Sequence, residues 1–274
     1  MSVSPALNLD VLRRWIGRTQ TSSDMISDRL LNQFAAVFGE TGGDIAPPGI
    51  HWCLAAAAEP TGSLDTDGHP MRGPFLPLVP LPQRMWAGSK VEFIAPLMPG
   101  DAVTRVSRIG DVTVKHGKSG TLCFVAVEHE LANANGIAIR ERQDLVFRAA
   151  ADTAPAPTVD PDFAVGAQAP IGPITLFRYS ALTFNAHRIH YDRDYARDVE
   201  GYAGLVVHGP LQASWLLRMA TTSRGRLPRH FAFRGIRPLT DLDPYCLSCE
   251  QTGDGLKLHA RSAAGPTMEA TARW

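Results

Sequence analysis

Two runs of strand-forming segments, in corresponding positions of the two halves, limit what this chain can fold into more than any other feature. The first run is rich in Val, Ile, Thr and Phe and comprises residues 90–96, 102–114, 121–130 and 137–147. Turn-forming pairs such as Pro99-Gly100 and Asn135-Gly136 separate its segments. Short β-prone segments with such turns between them are typical of consecutive antiparallel strands. The pattern therefore predicts an antiparallel sheet.

The second half repeats the order of a helix followed by strands. An apolar helix is predicted over 207–220, after a short strand at 174–180, and the strands that follow are residues 231–236, 245–251, 256–262 and 267–274. In the first half, apolar residues recur at helical spacing over 25–38, with Ser22 or Ser23 as the cap. A sheet that curls around an apolar helix buries most of it, and two such units can share one sheet. The sequence therefore predicts an α+β double hotdog.

Proline and glycine mark the boundaries between these parts. An apolar stretch over 51–58 predicts a further helix, and residues 60–82 contain Gly and Pro too often for a regular element, so this loop is a candidate lid. Residues 151–170 are rich in Pro and Ala, as interdomain connections are. We therefore expect a first hotdog at 1–150, a linker at 151–170 and a second hotdog at 171–274.

The balance of charge limits the partners of the chain. Lys plus Arg and Asp plus Glu both total 27, so the formal net charge of +0 gives no general attraction for nucleic acid or an anionic membrane. No apolar run approaches the length of a membrane span. Residues 1–17 lack the features of a signal peptide, so we expect a cytoplasmic protein with its 4 cysteines reduced.

Polar side chains concentrate in residues 177–192 in a pattern that points to chemistry. The cluster includes Asn185, His187, Arg188 and His190. A neutral imidazole near physiological pH is a suitable general base. Further along, His208-Gly209-Pro210 opens the predicted apolar helix, where free backbone N–H groups favour an anionic oxygen. A base and an oxyanion site are therefore close in sequence.

This stretch resembles the motif of the R-specific enoyl-CoA hydratases and dehydratases of the MaoC-like hotdog family. That motif reads Ser-Gly-Asp-x-Asn-Pro-Leu-His, with a catalytic Asp five residues before the catalytic His. Here His190 matches the His, and Asn185 stands at the position of the Asp. The form found here is closer to a subgroup of double-hotdog hydratases that act on mesaconyl-C4-CoA and itaconyl-CoA, a match supported by residues 84–88, 115–120 and 142–144.

The resemblance implies roles for three residues. His190 is expected to take a proton from water and to return one to carbon α, while Asn185 orients the water, since an amide cannot accept a proton as a carboxylate does. The N–H of Gly209 is expected to donate to the thioester oxygen. Each has a structural alternative: an ordinary buried histidine, a turn or helix cap, and backbone clearance at a helix start.

Further residues are candidates for contact with the substrate. His187 and His208 lie near the expected base, and His187 is equally open to supporting the loop. A dicarboxylic acyl group needs a partner for its free carboxylate, and the candidates are Arg84, Arg188 and His51. The phosphates of CoA also need cations, and the candidates are Lys115, Lys118 and Arg234, for which a solvated surface is the alternative.

No metal and no cofactor are expected. Cys246 and Cys249 have the spacing of a zinc-ligand pair, but residues three apart in a strand point to opposite faces. The chain also carries no P-loop, dinucleotide fingerprint or nucleophile-elbow motif.

The resemblance therefore implies a hydro-lyase, monomeric or homodimeric, that adds water to itaconyl-CoA or mesaconyl-C4-CoA to give citramalyl-CoA, as in itaconate degradation. The alternatives are an (R)-specific 3-hydroxyacyl thioester dehydratase for fatty-acyl chains, a hotdog thioesterase and a non-catalytic acyl-CoA-binding hotdog module. A lipid chain requires an apolar tunnel, whereas a short dicarboxylate requires an arginine. The lining of the pocket therefore discriminates between the first two.

Overall fold

The computed structural model describes residues 7–39, 43–117, 120–149, 163 and 171–274. Lys118 and the expected linker over 151–170, apart from position 163, lie outside the described residues. Nine strands form one antiparallel sheet in the described part of the chain. The first half supplies β1 (Thr19–Met25), β2 (Gln83–Phe93), β3 (Ala102–Gly117), β4 (Gly120–Asn133) and β5 (Gly136–Arg148). The second half supplies β6 (His230–Gly235), β7 (Tyr245–Thr252), β8 (Gly255–Ser262) and β9 (Gly265–Arg273).

The strand order is β1-β3-β4-β5-β2-β6-β9-β8-β7, so each half forms a continuous block and the blocks meet where β2 pairs with β6. Gly88 lies opposite Arg234 in this pairing. A Cβ added at Gly88 would lie 2.5 Å from the carbonyl oxygen of Phe233, so only glycine permits this close approach of the strands. The predicted strands of both runs form, with β2 beginning earlier than expected.

Helix α5 (Gly209–Arg224) is the central helix of the second half, as predicted over 207–220. It packs against β2, β6, β7, β8 and β9. Its side chains at Leu211, Leu216 and Leu217 have no solvent exposure. Pro210 in the first turn and Gly225 in the left-handed conformation after the last turn fix its ends. The helix and the curled sheet thus share one core.

The predicted helix over 51–58 is wrong. The chain forms a 3-10 helix at Ile50–Cys53 and then leaves the helical conformation. Polar side chains take the backbone groups that a helix would have used: Asp24 accepts a hydrogen bond from the N–H of Ala55 at 2.8 Å, and Arg105 donates to the carbonyl oxygens of Leu54 and Ala55 at 3.3 and 2.6 Å. These long-range hydrogen bonds override the local helical pattern.

The start of the first helix also differs from the prediction. Ser22 and Ser23 lie in β1, which pairs with β3, and Ser27 is the cap. Its hydroxyl accepts a hydrogen bond from the N–H of Leu30, and α2 follows at Asp28–Phe38. A short helix, α1 (Leu9–Arg13), precedes β1.

The segment predicted as a strand at 174–180 is a helix, α3 (Pro173–Leu182). Its buried residues Leu176 and Tyr179 are three positions apart, whereas Phe177 between them is 64% exposed. One face of the segment is therefore buried with helical rather than alternating spacing. A further short helix, α4 (Arg193–Asp198), follows it in the chain.

The loop over 60–82 contains little regular structure, as its composition predicts. One 3-10 turn at Thr61–Ser63 is present, and Val79 and Leu81 are buried in an apolar cluster with residues of α1, β3, β4 and β5. Arg72 donates to the carbonyl oxygens of Val79, Leu81 and Pro82 at 2.5, 2.7 and 2.8 Å. The loop is thus anchored to the sheet rather than free. Among the described residues, no helix has both the length and the apolarity needed to cross a bilayer.

Replacing Leu216 by Ala is expected to lower the free energy of unfolding by about 2–5 kcal/mol, because it empties a fully buried site. Leu242→Ala, at a side chain that is 62% exposed, is the matched control and should change the stability by less than about 0.5 kcal/mol. Urea titrations followed by tryptophan fluorescence measure both values. Equal losses would contradict a central position for α5.

Candidate active site

A cavity of about 1890 Å³ lies between the two halves and contains the predicted catalytic residues. The second half lines it with Asn185, His187, His190, His208 and Gly209, and the first half with His51, His69 and Arg84. The structure therefore brings together, in one cavity, most of the site residues that the sequence indicates.

His190 is held so that one ring nitrogen remains available. It ends a 3-10 helix at Arg188–His190, and its Nδ1 lies 2.7 Å from the carbonyl oxygen of Val206. A carbonyl only accepts hydrogen bonds, so Nδ1 carries the proton and Nε2 is the basic nitrogen of the neutral ring. Nε2 has no hydrogen-bond partner in the part of the chain described. This is the arrangement of a general base.

His208 supports the ring of His190 from behind. The two rings stack with their centres 3.6 Å apart, and Nε2 of His208 lies 2.8 Å from the hydroxyl of Ser180. Burial lowers the pKa of His190 to about 4 and lowers that of His208 well below its ordinary value. Both rings are therefore neutral near pH 7. The position of His208 indicates support of the base.

The segment that carries Asn185 turns sharply after α3. Phe184 has a positive φ of 49°, a conformation that costs a non-glycine residue energy and is found often at functional sites. The turn lets the N–H of Asn185 donate to the carbonyl oxygen of Ser180 at 2.8 Å. The side-chain oxygen of Asn185 accepts the N–H of His187 at 3.0 Å. Its amide nitrogen is left to donate into the cavity.

The start of α5 presents the backbone of Gly209 to the same cavity. His208 precedes it and provides no side-chain cap, and Pro210 has no N–H. The N–H of Gly209 has no hydrogen-bond acceptor among the residues described. It is therefore available to an oxyanion, with the positive end of the helix dipole behind it.

A loop of the first half packs directly on the segment that carries Asn185 and His190. A Cβ added at Gly68, whose φ is +90°, would lie 1.8 Å from the carbonyl oxygen of Ala186. The N–H of Arg188 donates to the carbonyl oxygen of Asp67 at 2.9 Å. Only glycine fits at this contact. The loop thus forms a fixed wall of the cavity.

This wall carries a pair of ionisable residues that the sequence analysis missed. Nδ1 of His69 lies 2.9 Å from the carboxylate of Asp67, and the N–H of His69 donates to the other carboxylate oxygen at 2.8 Å. The rings of His69 and His187 are in contact, with their centres 4.0 Å apart and their planes tilted by 37°, and His187 meets His190 edge-on at 5.3 Å. The signal in the sequence was the Asp-Gly-His run, which a Gly- and Pro-rich loop concealed.

One group of described side chains has the proximity that a metal ion requires. Donor atoms of Asp67, His69 and His187 lie within 4.8 Å of one another. Nδ1 of His69 is already hydrogen bonded to Asp67, and the charge of Arg84 reaches His69 and lowers its pKa after the larger effect of burial. A nearby guanidinium disfavours a second cation. The geometry is that of an Asp–His hydrogen-bonded pair.

Arg84, on β2, is a cation that lines the cavity close to His69. Burial lowers the pKa of Arg84 to about 10, while the charge of Asp67 opposes this effect, so the guanidinium is still charged at pH 7. Arg84 makes no hydrogen bond or ion pair among the described residues. A partly buried cation with free donors is the arrangement expected where an anionic ligand binds.

The end of the cavity within the first half is polar. Glu141 accepts hydrogen bonds from Ser89 and Trp52 at 2.5 and 2.9 Å. Burial raises the pKa of Glu141, an effect that these hydrogen bonds oppose. The same region is lined by Arg105, His129 and Gln143. The cavity is thus bounded there by ionisable and amide groups.

Comparison with known proteins gives a family. The family described as hydroxyacyl-thioester dehydratase type 2 matches residues 49–241 of the chain. The chain belongs to this dehydratase family. Mesaconyl-C(4)-CoA hydratase of Chloroflexus aurantiacus is 41% identical over 262 residues, which cover 92% of this chain and 94% of that protein. The predicted hydro-lyase class is confirmed.

Solved structures give the fold of the chain. A MaoC-like dehydratase from Phytophthora capsici matches with a TM-score of 0.69 at 18% identity, covering 98% of this chain and 99% of that one. A Mycobacterium tuberculosis protein with a double hotdog fold matches with a TM-score of 0.57 at 12% identity, covering 94% and 95%. The expected MaoC-like double hotdog fold is therefore confirmed.

Two of the three candidates for binding the free carboxylate of the substrate are unsuited to that role. Arg188 does not line the cavity: its guanidinium donates to Asp192 at 2.7 Å and lies over the ring of Tyr195. That ion pair already satisfies its charge. His51 lines the cavity, but burial lowers its pKa to about 3, so it supplies no positive charge near neutral pH. Arg84 is left as the cationic candidate.

The described candidates for CoA contacts lie at the surface of the protein. The side chain of Arg234 is 72% exposed at the edge of the cavity. Lys115 is also exposed, and its amine lies 5.1 Å from the ring centre of Phe124, which lines the cavity. Lys118 lies outside the described residues. Arg148 and Arg237 also line the cavity.

The buried histidines predict that the protein loses stability in mild acid. Burial lowers the pKa from 6.5 to about 3 in His51 and to about 4 in His129 and His190. The unfolded chain therefore binds more protons than the native protein below pH 6.5, and stability falls as the pH drops toward 4. Urea midpoints at about pH 7.5 and 5.5, a range in which few carboxylates titrate, measure the effect. An unchanged midpoint would contradict the burial of neutral histidines.

Proposed function

We propose that this protein adds water to a branched C5 dicarboxylic enoyl-CoA, itaconyl-CoA or mesaconyl-C4-CoA, to give citramalyl-CoA, as in the degradation of itaconate. The observation that carries the proposal is Arg84, a partly buried guanidinium that lines the same cavity as His190 and has no hydrogen-bond or ion-pair partner among the described residues. The identity of 41% to a mesaconyl-C(4)-CoA hydratase supports the same substrate class.

The chemistry of this substrate requires a cation close to the base. In mesaconyl-C4-CoA the free carboxylate is bonded to the carbon that receives the hydroxyl group. Arg84 is near enough to lower the pKa of His69 and of His187, although burial has the larger effect on both. His187 is in ring contact with His190 at 5.3 Å. A carboxylate bound by Arg84 would thus hold the reacting carbon near His190.

The proposed reaction uses the predicted residues in separate roles. Nε2 of His190 takes a proton from water, and the amide nitrogen of Asn185 donates to the water oxygen and holds it. As the oxygen bonds to carbon β, negative charge gathers on the thioester oxygen, where the N–H of Gly209 stabilises it. One such donor typically contributes about 3–4 kcal/mol to the transition state.

Itaconyl-CoA requires one additional step in the same site. Its alkene lies one bond further from the thioester, so a proton must first leave carbon α and another must reach the terminal methylene carbon. The dienolate formed between these transfers carries its charge on the thioester oxygen. The N–H of Gly209 would stabilise this charge as it does in the hydration.

The two halves have different roles in the proposal. The first, at 1–150, shapes the acyl pocket through Arg84, and the second, at 171–274, supplies the base and the oxyanion donor. Lys115 and Arg234, both exposed, are the described candidates for the phosphates of CoA. Glu141 and Arg105 in the deep part of the cavity disfavour a long alkyl chain, because burying one there would remove water from charged groups.

Turnover of mesaconyl-C4-CoA and of crotonyl-CoA, which lacks the carboxylate, tests the substrate class. Arg84→Gln is expected to lower kcat/KM for the dicarboxylic substrate by roughly 100-fold, since the ion pair with the substrate carboxylate is lost. The kcat/KM for crotonyl-CoA should stay within about threefold of that of the unmodified protein. His190→Gln is expected to lower both rates by about 100-fold or more. Mass spectrometry, which detects the gain of one water, measures the products.

Arg140→Gln is the matched control, because Arg140 is exposed on β5 and pairs with Glu130 outside the cavity. It should leave both rates unchanged. An equal loss of both activities in Arg84→Gln would overturn the role of Arg84. Turnover of a medium-chain enoyl-CoA alone would indicate a hydratase that acts on fatty-acyl chains. Release of free thiol would indicate a thioesterase, and the absence of any reaction would indicate a binding module.

A further inference from the structure

Hydration moves two protons, and Asn185 cannot transfer either of them. One proton leaves water, and one reaches carbon α. An amide has no useful basicity near neutral pH, and the oxygen of Asn185 already accepts the N–H of His187. With Asn at this position, His190 alone would have to serve both transfers unless the cavity holds a second group.

The histidines that line the cavity differ in their partners. His208 lies behind His190 and is hydrogen bonded to Ser180, and His129 is paired with Ser107 at 2.8 Å. In the described part of the chain, His69 is the one cavity histidine that has a carboxylate partner. A carboxylate at Nδ1 fixes the tautomer of an imidazole and increases the basicity of its other nitrogen.

The hydrogen bonds of Asp67 orient His69 in two ways. One carboxylate oxygen holds Nδ1 at 2.9 Å, and the other holds the backbone N–H of the same residue at 2.8 Å. Asp67 and His69 are 16% and 20% exposed at their side chains, so the pair is largely protected from bulk water. Nε2 of His69 is left free to exchange a proton within the cavity.

His69 also lies within reach of the other groups of the site. Its ring contacts that of His187, which in turn contacts His190. Burial lowers the pKa of His190, and the charge of His69 is a smaller cause of the same lowering. The contact of Gly68 with the backbone of Ala186 fixes the distance between the loop and the catalytic segment. The first half therefore supplies a second Asp-linked imidazole to the site.

We propose that His69, oriented by Asp67, is a second acid–base catalyst that transfers the proton at carbon α, while His190 transfers the proton of water. This proposal rests on the hydratase function proposed above. Asp67 acts through His69 and is a positioning residue.

The proposed hydration takes place through three proton transfers. Nε2 of His190 takes a proton from water as the water oxygen bonds to carbon β, and the electron pair of the alkene moves to the thioester oxygen. The Nε2–H of protonated His69 then gives its proton to carbon α, as the electron pair returns to form the C–H bond. A proton passes from His190 to His69 through water and closes the cycle.

Binding of a dicarboxylic substrate would favour the protonated form of His69. Burial and the charge of Arg84 lower the pKa of His69, whereas Asp67 opposes them. A substrate carboxylate on Arg84 offsets the charge of the guanidinium and so removes one cause of the lowering. The acid would thus be formed when the correct substrate is bound.

Exchange of the α proton separates the two transfers. Methylsuccinyl-CoA carries the carboxylate but no hydroxyl group, so in D2O it can only exchange its α proton, which mass spectrometry detects. His69→Gln is expected to lose this exchange and to lower kcat for hydration by about 100-fold, with KM within about threefold. His190→Gln is expected to lose hydration and to retain the exchange. His230→Gln, at an exposed position on β6, is the matched control and should change neither.

A pH profile tests the positioning role of Asp67. Activity should fall as His69 loses its proton at high pH, and Asp67→Asn is expected to move this basic limb of kcat to lower pH, because the carboxylate stabilises the imidazolium. A merely structural role would lower activity without moving the limb.

Three results would overturn the proposal. They are hydration by His69→Gln within twofold of the unmodified protein, exchange that survives in His69→Gln but not in His190→Gln, and activity that is lost on chelation and restored by a divalent metal. If no dicarboxylic thioester is hydrated, the proposed hydratase function is wrong, whatever the role of His69. Exchange of the α proton of butyryl-CoA in D2O then still tests His69. Binding of the thioester to each variant, measured by calorimetry, excludes misfolding as the cause of a loss.

Discussion

The antiparallel pairing of β2 with β6 is the interaction on which the rest of the structure depends. It joins the two blocks of strands into one sheet and brings Arg84, on β2, to the cavity that the start of α5 also lines. Gly88 permits this pairing, since any side chain there would meet the carbonyl oxygen of Phe233. A Cβ on Gly209 would lie 3.8 Å from the carbonyl oxygen of Trp86, so the proposed oxyanion donor is adjacent to the junction. The active cavity is therefore a consequence of how the halves pair.

Within this cavity, burial sets the charge state of most groups. Desolvation keeps His51, His187, His190 and His208 neutral near pH 7, whereas Arg84 keeps its charge. A partly buried cation without a direct partner costs stability, and a protein that needed only a packed core would have no use for one. The site therefore holds a neutral base beside a fixed positive charge, which suits the attack of water next to a carboxylate.

The sequence predicted the elements whose pattern is local and missed those that distant residues decide. The strands and α5 follow from alternation, turn residues and an apolar helical run. The helix expected over 51–58 is replaced because Asp24 and Arg105, from other strands, take its backbone groups. The strand expected at 174–180 is a helix because the core covers Leu176 and Tyr179 on one helical face. Among the site residues, the motif around His190 could be predicted, but His69 lies in a loop without periodicity.

By itself the sequence determined most of the strands, helix α5, the sheet-rich double hotdog plan and the segment that carries Asn185 and His190, because each depends on residues that are neighbours in the chain. The tertiary structure decided which arginine enters the cavity and which turns away. Arg188 forms an ion pair with Asp192, whereas Arg84 is partly buried at the cavity and has no carboxylate hydrogen bonded to it among the described residues. It also placed Asp67 and His69 against His187. Such contacts join residues far apart in sequence, and their geometry is fixed only when the loop over 60–82 packs on the second half.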